Sequence, residues 1–145
     1  MVAAQRCRSG FTLLELMIVL VVMSVLAALA VTSYSRYAFR ARRTDGQKLL
    51  MAVANAEERY YALHNAYADL ATIGYSTTIN ATSESGYYTA AVGVSTINGV
   101  AAQAFTATAT PVPGNSQQRD ACGALTVTDT GVKGPPGTTK NGTCW

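Results

Sequence analysis

The chain has 145 residues, of which 49% are hydrophobic and only 13% are charged. This length allows one compact domain beside a long apolar segment. Two of the eleven basic residues, Arg6 and Arg8, precede Gly10, so the remaining chain carries nine basic against eight acidic side chains. That balance excludes the large positive excess typical of general polyanion-binding proteins.

The first predicted element is an apolar helix from Phe11 to Val31, in which only Thr12, Glu15 and Ser24 are polar. At ~1.5 Å per residue, this segment matches the ~30 Å hydrocarbon core of a bilayer. A carboxylate within such a span costs about 2.5–3.5 kcal/mol on insertion scales. The position of Glu15 therefore predicts a partner cation in an assembled state, although the carboxylate can also stabilise the helix N-terminus through the macrodipole.

Two other interpretations of the apolar segment stay open at this point. A basic start, an apolar run and Ala28-Leu29-Ala30 are typical of a secretory signal, whose apolar core is usually only about 7–15 residues long. A plain membrane anchor explains the length but not Glu15.

The orientation of the segment has a signal of its own. The arginines at positions 36, 40, 42 and 43 outnumber those before the segment. The positive-inside rule alone would therefore place the C-terminal side in the cytoplasm.

The run Gly10-Phe11-Thr12-Leu13-Leu14-Glu15-Leu16 resembles the start of type IV prepilins, whose short charged leader ends in glycine. The resemblance implies that a membrane peptidase cuts after Gly10 and methylates Phe11. It also implies that Phe11, Thr12 and Glu15 serve subunit assembly, because Glu15 can neutralise the Phe11 amino group of a neighbouring subunit. Residues 1–10 are then the leader and residues 11–31 the transmembrane and assembly helix. The precursor is expected in a bacterial inner membrane with its N-terminus in the cytoplasm. We prefer this topology to the one from the positive-inside rule, because the cleavage motif needs a cytoplasmic leader and the C-terminal cysteine pair needs an oxidising compartment.

The helix is expected to continue beyond the membrane. No proline occurs before Pro111, and Gly46 is the only glycine between Gly10 and Gly74, so nothing forces an earlier end. An apolar stripe at spacings of three and four predicts an amphipathic continuation over residues 32–67. The members of the stripe are Leu49, Val53, Ala56, Tyr60, Leu63 and Tyr67.

A basic cluster lies just after the apolar segment. Arg36, Arg40 and Arg43 share one helical face, and Arg42 lies alongside. Such a cluster can contact lipid phosphates. Alternatively, it can form a solvated face with Asp45 as a partial counter-charge.

Residues 68–145 are predicted to form a head built on a small antiparallel sheet. Residues 68–86 are expected to be a loop. Two runs of period two, 87–96 and 100–110, flank Asn98-Gly99, which is a strong hairpin signal. A third strand over 124–128 turns toward Val132-Lys133, and an irregular tail follows. The fold class is therefore α+β, with a long N-terminal helix packed on a small antiparallel sheet.

The three cysteines divide between the two ends of the chain. Cys7 precedes the apolar segment, whereas Cys122 and Cys144 lie near the C-terminus. If the segment spans the membrane, the later two form an exported pair, which predicts one disulfide worth about 3 kcal/mol. They lack metal-ligand spacing, and the only histidine, His64, is far away in sequence. The run from 120 to 133 and the terminal Cys144-Trp145 resemble PilE-type minor pilins.

No nucleotide-binding loop, HExxH helix or GxSxG elbow occurs, so neither an enzymatic activity nor a metal or cofactor is predicted. The resemblance implies a structural minor subunit of a type IV pilus, involved in pilus assembly and in motility, adhesion or DNA uptake at the cell surface. The implied partners are other pilin subunits, the prepilin peptidase and methyltransferase, and the inner-membrane assembly machinery.

Two alternative functions stay open. One is a DNA-receptor competence pilin, for which Arg119, Lys133 and Lys140 are the cations available after Arg59. The other is a pseudopilin of a type II secretion system, which the C-terminal cysteine pair disfavours.

Overall fold

The computed structural model describes residues 10–145, apart from the side chain of Thr32. The predicted leader, except for Gly10, lies outside the described residues, as does Cys7. Contacts divide the chain into a first unit that ends at Ser35 and a second unit, Arg36–Trp145. A long α-helix, α1, runs from Leu13 to His64 and contributes to both units.

In the first unit, α1 exposes its described side chains on every side from Leu13 to Ser35. A helix that is apolar all round is suited to lipid or to packing against other helices rather than to water. Among the described residues, α1 is the one helix that is long and apolar enough to cross a membrane, a test that an N-terminal signal sequence would also pass.

In the second unit, one face of α1 packs against a sheet and forms the hydrophobic core. The helix contributes branched aliphatic residues. The sheet contributes alanines, two branched aliphatic residues and two aromatic residues. The main members are Leu49, Leu50, Val53, Tyr88, Ala90, Phe105, Ala107, Ala109, Leu125 and Val127.

Gly46 allows a close contact between α1 and the sheet. A Cβ atom at this position would lie only 2.8 Å from ring atoms of Tyr88, which is fully buried. Glycine inside a helix costs about 1 kcal/mol relative to alanine. Here its lack of a side chain lets the Tyr88 ring lie directly against the helix backbone.

Five strands form an antiparallel meander in the order β1-β2-β3-β4-β5. Their bounds are β1 Asn80–Thr82, β2 Tyr88–Ile97, β3 Val100–Pro111, β4 Leu125–Thr128 and β5 Lys133–Gly134. A separate two-stranded sheet pairs β6 Thr138–Thr139 with β7 Gly142–Thr143. The predicted α+β fold class, with a long helix on an antiparallel sheet, is confirmed.

The β2–β3 hairpin turns at Asn98-Gly99, as predicted. Asn98 has a φ of 49° and Gly99 a φ of 80°, and positive φ at both central residues is what a type I′ turn requires. Ile97 pairs with Val100 across the turn, and the register shifts between Ser95 and Ile97. The dipeptide therefore closes the hairpin at its tip, whereas the longer part of the ladder, from Tyr88–Pro111 to Ser95–Ala104, runs in the register that follows this shift.

Two regions that were expected to be irregular contain short strands. The predicted loop over 68–86 includes β1, which pairs only three of its residues with β2. Its Asn80 carbonyl accepts hydrogen bonds from the hydroxyls of Ser76 and Thr78, each at 2.8 Å. The predicted irregular tail includes β6 and β7, and a short 3-10 helix, Ser116–Arg119, connects β3 to β4. Strands of two or three residues are too short for a period-two pattern to reveal them.

The predicted apolar stripe is correct at its first three members and wrong at Leu63, which is 82% exposed. The helix ends one residue later, and Asn65 adopts a φ of 53° that turns the chain. Tyr67 is buried, but it reaches the core from the loop, where its ring centroid lies 4.8 Å from that of Phe105. The apolar spacing in the sequence therefore continues beyond the part of the helix that the sheet covers.

Glu57 is a fully buried acid on the core face of α1. Its Oε2 accepts a hydrogen bond from the Ala68 backbone N–H at 3.3 Å, whereas Oε1 has no hydrogen-bond partner among the described residues. Burial raises the pKa of Glu57, and the nearby charges of Asp69 and Glu58 raise it further, while the bond from Ala68 acts in the opposite direction. The folded chain therefore holds this proton more tightly than the unfolded chain.

We predict that Glu57→Gln reduces the pH dependence of the free energy of unfolding. The stabilisation that comes from a raised folded pKa is fully present below the ordinary value of 4.5 and is lost as pH rises through the folded pKa. Denaturant titrations of the full chain in detergent, at a series of pH values above 4.5, measure this loss. It should be smaller in Glu57→Gln, whereas the exposed control Glu84→Gln should keep the wild-type slope. An unaltered slope in Glu57→Gln would contradict the assignment.

Candidate functional site

The N-terminal end of α1 carries the residues predicted to serve assembly. The Thr12 hydroxyl accepts a hydrogen bond from the Glu15 backbone N–H at 3.2 Å, and Glu15 Oε2 accepts one from the Thr12 backbone N–H at 3.4 Å. These reciprocal bonds form a capping box, which satisfies N–H groups that the first helical turn leaves unpaired. Gly10 and Phe11 lie exposed immediately before it. The spacing Thr-x-x-Glu is a sequence signal for this cap that the macrodipole interpretation missed.

At the other end of the chain, a disulfide joins Cys122 to Cys144, with their Cα atoms 5.6 Å apart. Both cysteines are buried. The bond closes a loop, residues 122–144, that contains β4 to β7; we refer to it as the disulfide loop. The Gln47 side-chain amide donates to the Cys144 carbonyl at 3.0 Å, so α1 contacts the loop at its closing residue.

A buried arginine also fastens the disulfide loop to α1. Arg43 Nε donates to Asp120 Oδ2 at 2.6 Å, and Nη2 donates to Oδ1 at 3.2 Å. Further donors of the guanidinium reach the carbonyl oxygens of Asn141, at 3.0 Å, and of Thr143. Arg43 is 1% exposed. The interpretation of Arg43 as part of a lipid-facing or solvated cluster is therefore wrong, whereas Arg36 and Arg40 are exposed.

Two amide side chains complete this buried polar cluster. Gln117 Nε2 donates to Asp120 Oδ2 at 3.0 Å and to the Tyr88 hydroxyl at 2.9 Å. Asn141 Nδ2 donates to Asp120 Oδ1 at 2.9 Å. Burial raises the pKa of Tyr88 to about 12, so its hydroxyl remains neutral at physiological pH. Asp120 is thus the shared acceptor of the cluster, with four hydrogen bonds to its carboxylate.

A basic and aromatic groove with a volume of about 610 Å³ lies between α1 and the chain end. Lys48 and Lys133 supply two ammonium groups, and the Lys133 Nζ lies 5.2 Å from the centroid of the Trp145 ring. The indole N–H of Trp145 donates to the Gly134 carbonyl, which fixes the ring orientation. The groove is lined by Thr44, Gln47, Lys48, Met51, Lys133 and Trp145.

The other predicted cations lie outside this groove. Arg119 and Lys140 are exposed, and neither lines the groove. Arg42 is held elsewhere, because its guanidinium lies 5.2 Å over the Tyr87 ring and donates to the Ser116 hydroxyl at 2.6 Å. Sequence reasoning did not associate Lys48 with Lys133, since no spacing connects a helix residue to a distant strand.

His64 is not placed with other potential metal ligands. Its ring stacks on that of Tyr60 with a centroid separation of 4.0 Å. Within residues 10–145, no group of three or more His, Cys, Asp or Glu side chains could hold a metal ion.

Comparison with known proteins identifies the class. A family model for the prokaryotic N-terminal methylation motif matches residues 5–31. A solved structure, a type IV pilin from Shewanella oneidensis, is similar with a TM-score of 0.52 and 25% sequence identity, over 74% of this chain and 97% of that chain. No curated protein sequence matches the chain. The fold and the N-terminal motif together define a type IV pilin.

A second family model gives the particular family. The model described as type IV minor pilin ComP, DNA uptake sequence receptor, matches residues 32–126, which is well over half of the chain. The chain belongs to this family of type IV minor pilins. The predicted function as a minor pilus subunit that assembles with other pilins is confirmed, and the apolar helix anchors the chain in a membrane before assembly. These matches favour a pilus over the pseudopilin alternative.

We predict that Asp120→Ala lowers the free energy of unfolding by about 3–5 kcal/mol, because it leaves the Arg43 guanidinium buried without its counter-charge. Removing both charges in Arg43→Met/Asp120→Leu should cost less than Asp120→Ala alone, since no unpaired ion then remains. Denaturant titration of the full chain in detergent measures both. The exposed control Arg119→Ala should change stability by no more than about 0.5 kcal/mol. Equal effects of Asp120→Ala and Arg119→Ala would refute a structural role for the ion pair.

Proposed function

We propose that prepilin peptidase cuts this chain after Gly10 and that the mature subunit starts at a methylated Phe11. The match to the methylation motif and the exposed apolar surface of α1 support this proposal. On this basis residues 1–10 are the leader, 11–31 span the inner membrane, 32–67 continue the helix and 68–145 form the exported head. We propose a structural role in the pilus and no catalytic one.

Assembly transfers the apolar helix from lipid into the core of the filament. Because lipid tails are as apolar as the helix surface, this transfer supplies little hydrophobic driving force. Specific polar contacts must therefore fix how far one subunit is shifted along the next. The Glu15 carboxylate and the Phe11 amino group of a neighbouring subunit are suited to this, because each would otherwise be a costly single charge in an apolar environment.

We further propose that the second unit binds DNA. The observation that carries this proposal is the match over residues 32–126 to a family described as a DNA uptake sequence receptor. The groove offers a physical means, because lysine side chains contact phosphates and an aromatic face can contact a base or a sugar. Lys48 lies within the matched range, and Lys133 and Trp145 follow it.

The binding is expected to be local rather than driven by net charge. Nearly equal numbers of basic and acidic side chains follow Gly10, so the long-range attraction for a polyanion is weak. Two ammonium groups in one groove can nevertheless neutralise about two phosphates, each adding about 0.9 to the salt dependence of log K on duplex DNA.

We predict that Glu15→Ala leaves leader cleavage intact but impairs incorporation into pili. The substitution removes the proposed partner of the neighbouring amino group, whereas the cleavage junction is retained. The mass of the cell-associated protein reports cleavage, and immunoblotting of sheared pili reports incorporation. Ser24→Ala, which also removes a polar group from the apolar span, is the matched control. Wild-type levels of Glu15→Ala in sheared pili would refute the pairing.

We predict that Lys133→Ala weakens the binding of the full chain to duplex DNA and lowers the slope of log K against log salt by about 1. Fluorescence anisotropy with labelled duplex DNA at several salt concentrations measures both quantities. Arg59→Ala removes the same charge from an exposed helix position outside the groove and should retain the wild-type slope. If the two variants bind alike, the groove is not the DNA site.

A further inference from the structure

The chain contains two Asn-Gly dipeptides that the fold places in opposite surroundings. Of its six asparagines, only Asn98 and Asn141 precede a glycine. An asparagine in this context is chemically labile, because a glycine without Cβ lets its backbone nitrogen approach the neighbouring side-chain carbonyl with little hindrance. The rate then depends on whether the structure permits that approach.

Asn98 lies where the approach is open. It occupies the exposed turn of the β2–β3 hairpin. The strand ladder closes by pairing Ile97 with Val100, so the Gly99 nitrogen lies within the turn rather than in the ladder. No hydrogen bond of the Asn98 side chain is found among residues 10–145.

Asn141 is held in place from several directions. It is 6% exposed, and its side-chain Nδ2 donates to Asp120 Oδ1 at 2.9 Å. Its backbone N–H donates to the Thr139 hydroxyl at 3.2 Å, and its carbonyl accepts from Arg43 at 3.0 Å. The side-chain amide cannot rotate toward the Gly142 nitrogen without breaking the buried cluster.

We propose that Asn98 is a site of spontaneous deamidation in the folded protein and that Asn141 is protected by the fold. The Gly99 backbone nitrogen attacks Asn98 Cγ, a new C–N bond closes a five-membered succinimide, and the side-chain nitrogen leaves as ammonia. Water then opens the ring at one of its two carbonyls and gives aspartate or isoaspartate. The sequence of steps consumes one water and needs no oxidant, reductant or cofactor.

The modification changes the electrostatics of the hairpin. No Asp, Glu, Lys, Arg or His occurs between Glu84 and Arg119, so β2 and β3 carry no charged side chain. A carboxylate at position 98 becomes the first charge in this region. Charges at exposed strand ends oppose edge-to-edge association, so each modified subunit presents a more soluble hairpin.

The test follows both dipeptides in the same sample. The full chain in detergent, with its disulfide intact, is incubated in mildly alkaline buffer, and peptide mass spectrometry quantifies deamidation at both positions. Enzymatic carboxyl methylation of the digest identifies the isoaspartate fraction. In the folded chain Asn98 should react at least about tenfold faster than Asn141, the difference that an opening free energy of only about 1.4 kcal/mol imposes.

A parallel incubation of the chain in denaturant with reductant serves as the matched control. There the two rates should converge, because both dipeptides then have a similar local chemistry. Equal rates at the two positions in the folded chain would overturn the proposal. It would also be overturned if Asn98 reacted only in denaturant, since the turn geometry would then be protective.

Discussion

Arg43 is the buried charge on which the attachment of the C-terminal region to the helix depends, because it pairs with Asp120 just before the disulfide loop and donates to the Asn141 and Thr143 carbonyls within it. Removing two such ions from water costs several kcal/mol each. The structure offsets that cost with geometry, because the guanidinium makes four hydrogen bonds and the carboxylate accepts four. Every donor and acceptor atom of the ion pair is engaged, and within the described residues the Gln117 Oε1 is the one buried side-chain atom of the cluster without a partner. So many directed contacts restrict the members of the cluster to a narrow range of arrangements. The cluster therefore fixes position as well as contributing stability.

The fixed position of the disulfide loop relative to α1 also determines the shape of the groove on the surface. One wall of the groove, with Lys48, belongs to α1, and the other, with Lys133 and Trp145, belongs to the disulfide loop and the residue that follows it. The spacing of the walls is held because Arg43 and Gln47 bind carbonyl groups of the loop to the helix, and the disulfide closes the loop itself. A site whose side chains are already in position before a ligand arrives loses less conformational entropy on binding. The contacts of the buried cluster thus also position the side chains of the exposed groove.

The sequence predicted the elements whose signals are local. The period-two runs and Asn98-Gly99 specified the β2–β3 hairpin because its strands and turn are contiguous and long. The cysteines could be paired by count and compartment. The burial of Arg43 could not be predicted, because its partner Asp120 is distant in the chain and an arginine on a polar helical face has the same local pattern whether it faces water or a carboxylate.

Other features that the sequence did not predict are likewise determined by contacts between distant parts of the chain. The strand β1 is only three residues long, and its place is determined by the edge of β2 that it completes. Leu63 continues the spacing of the stripe, but the sheet does not extend far enough to cover it, and the spacing does not encode that limit. The groove was missed for a related reason, since its residues meet only once the meander has brought β5 toward the helix.

Both ends of the chain place a charged side chain in an environment of low polarity, where the charge needs a compensating partner. In the second unit a buried charge is compensated within one molecule, whereas Glu15 lies on a helix surface that is otherwise apolar. Within the single chain its carboxylate is satisfied by Thr12 through the capping box. In the proposed filament the Phe11 amino group of a neighbour adds a full positive charge, and that charge exists only after cleavage at Gly10. Processing would therefore create the partner for which the carboxylate is placed, and it would restrict this pairing to mature subunits.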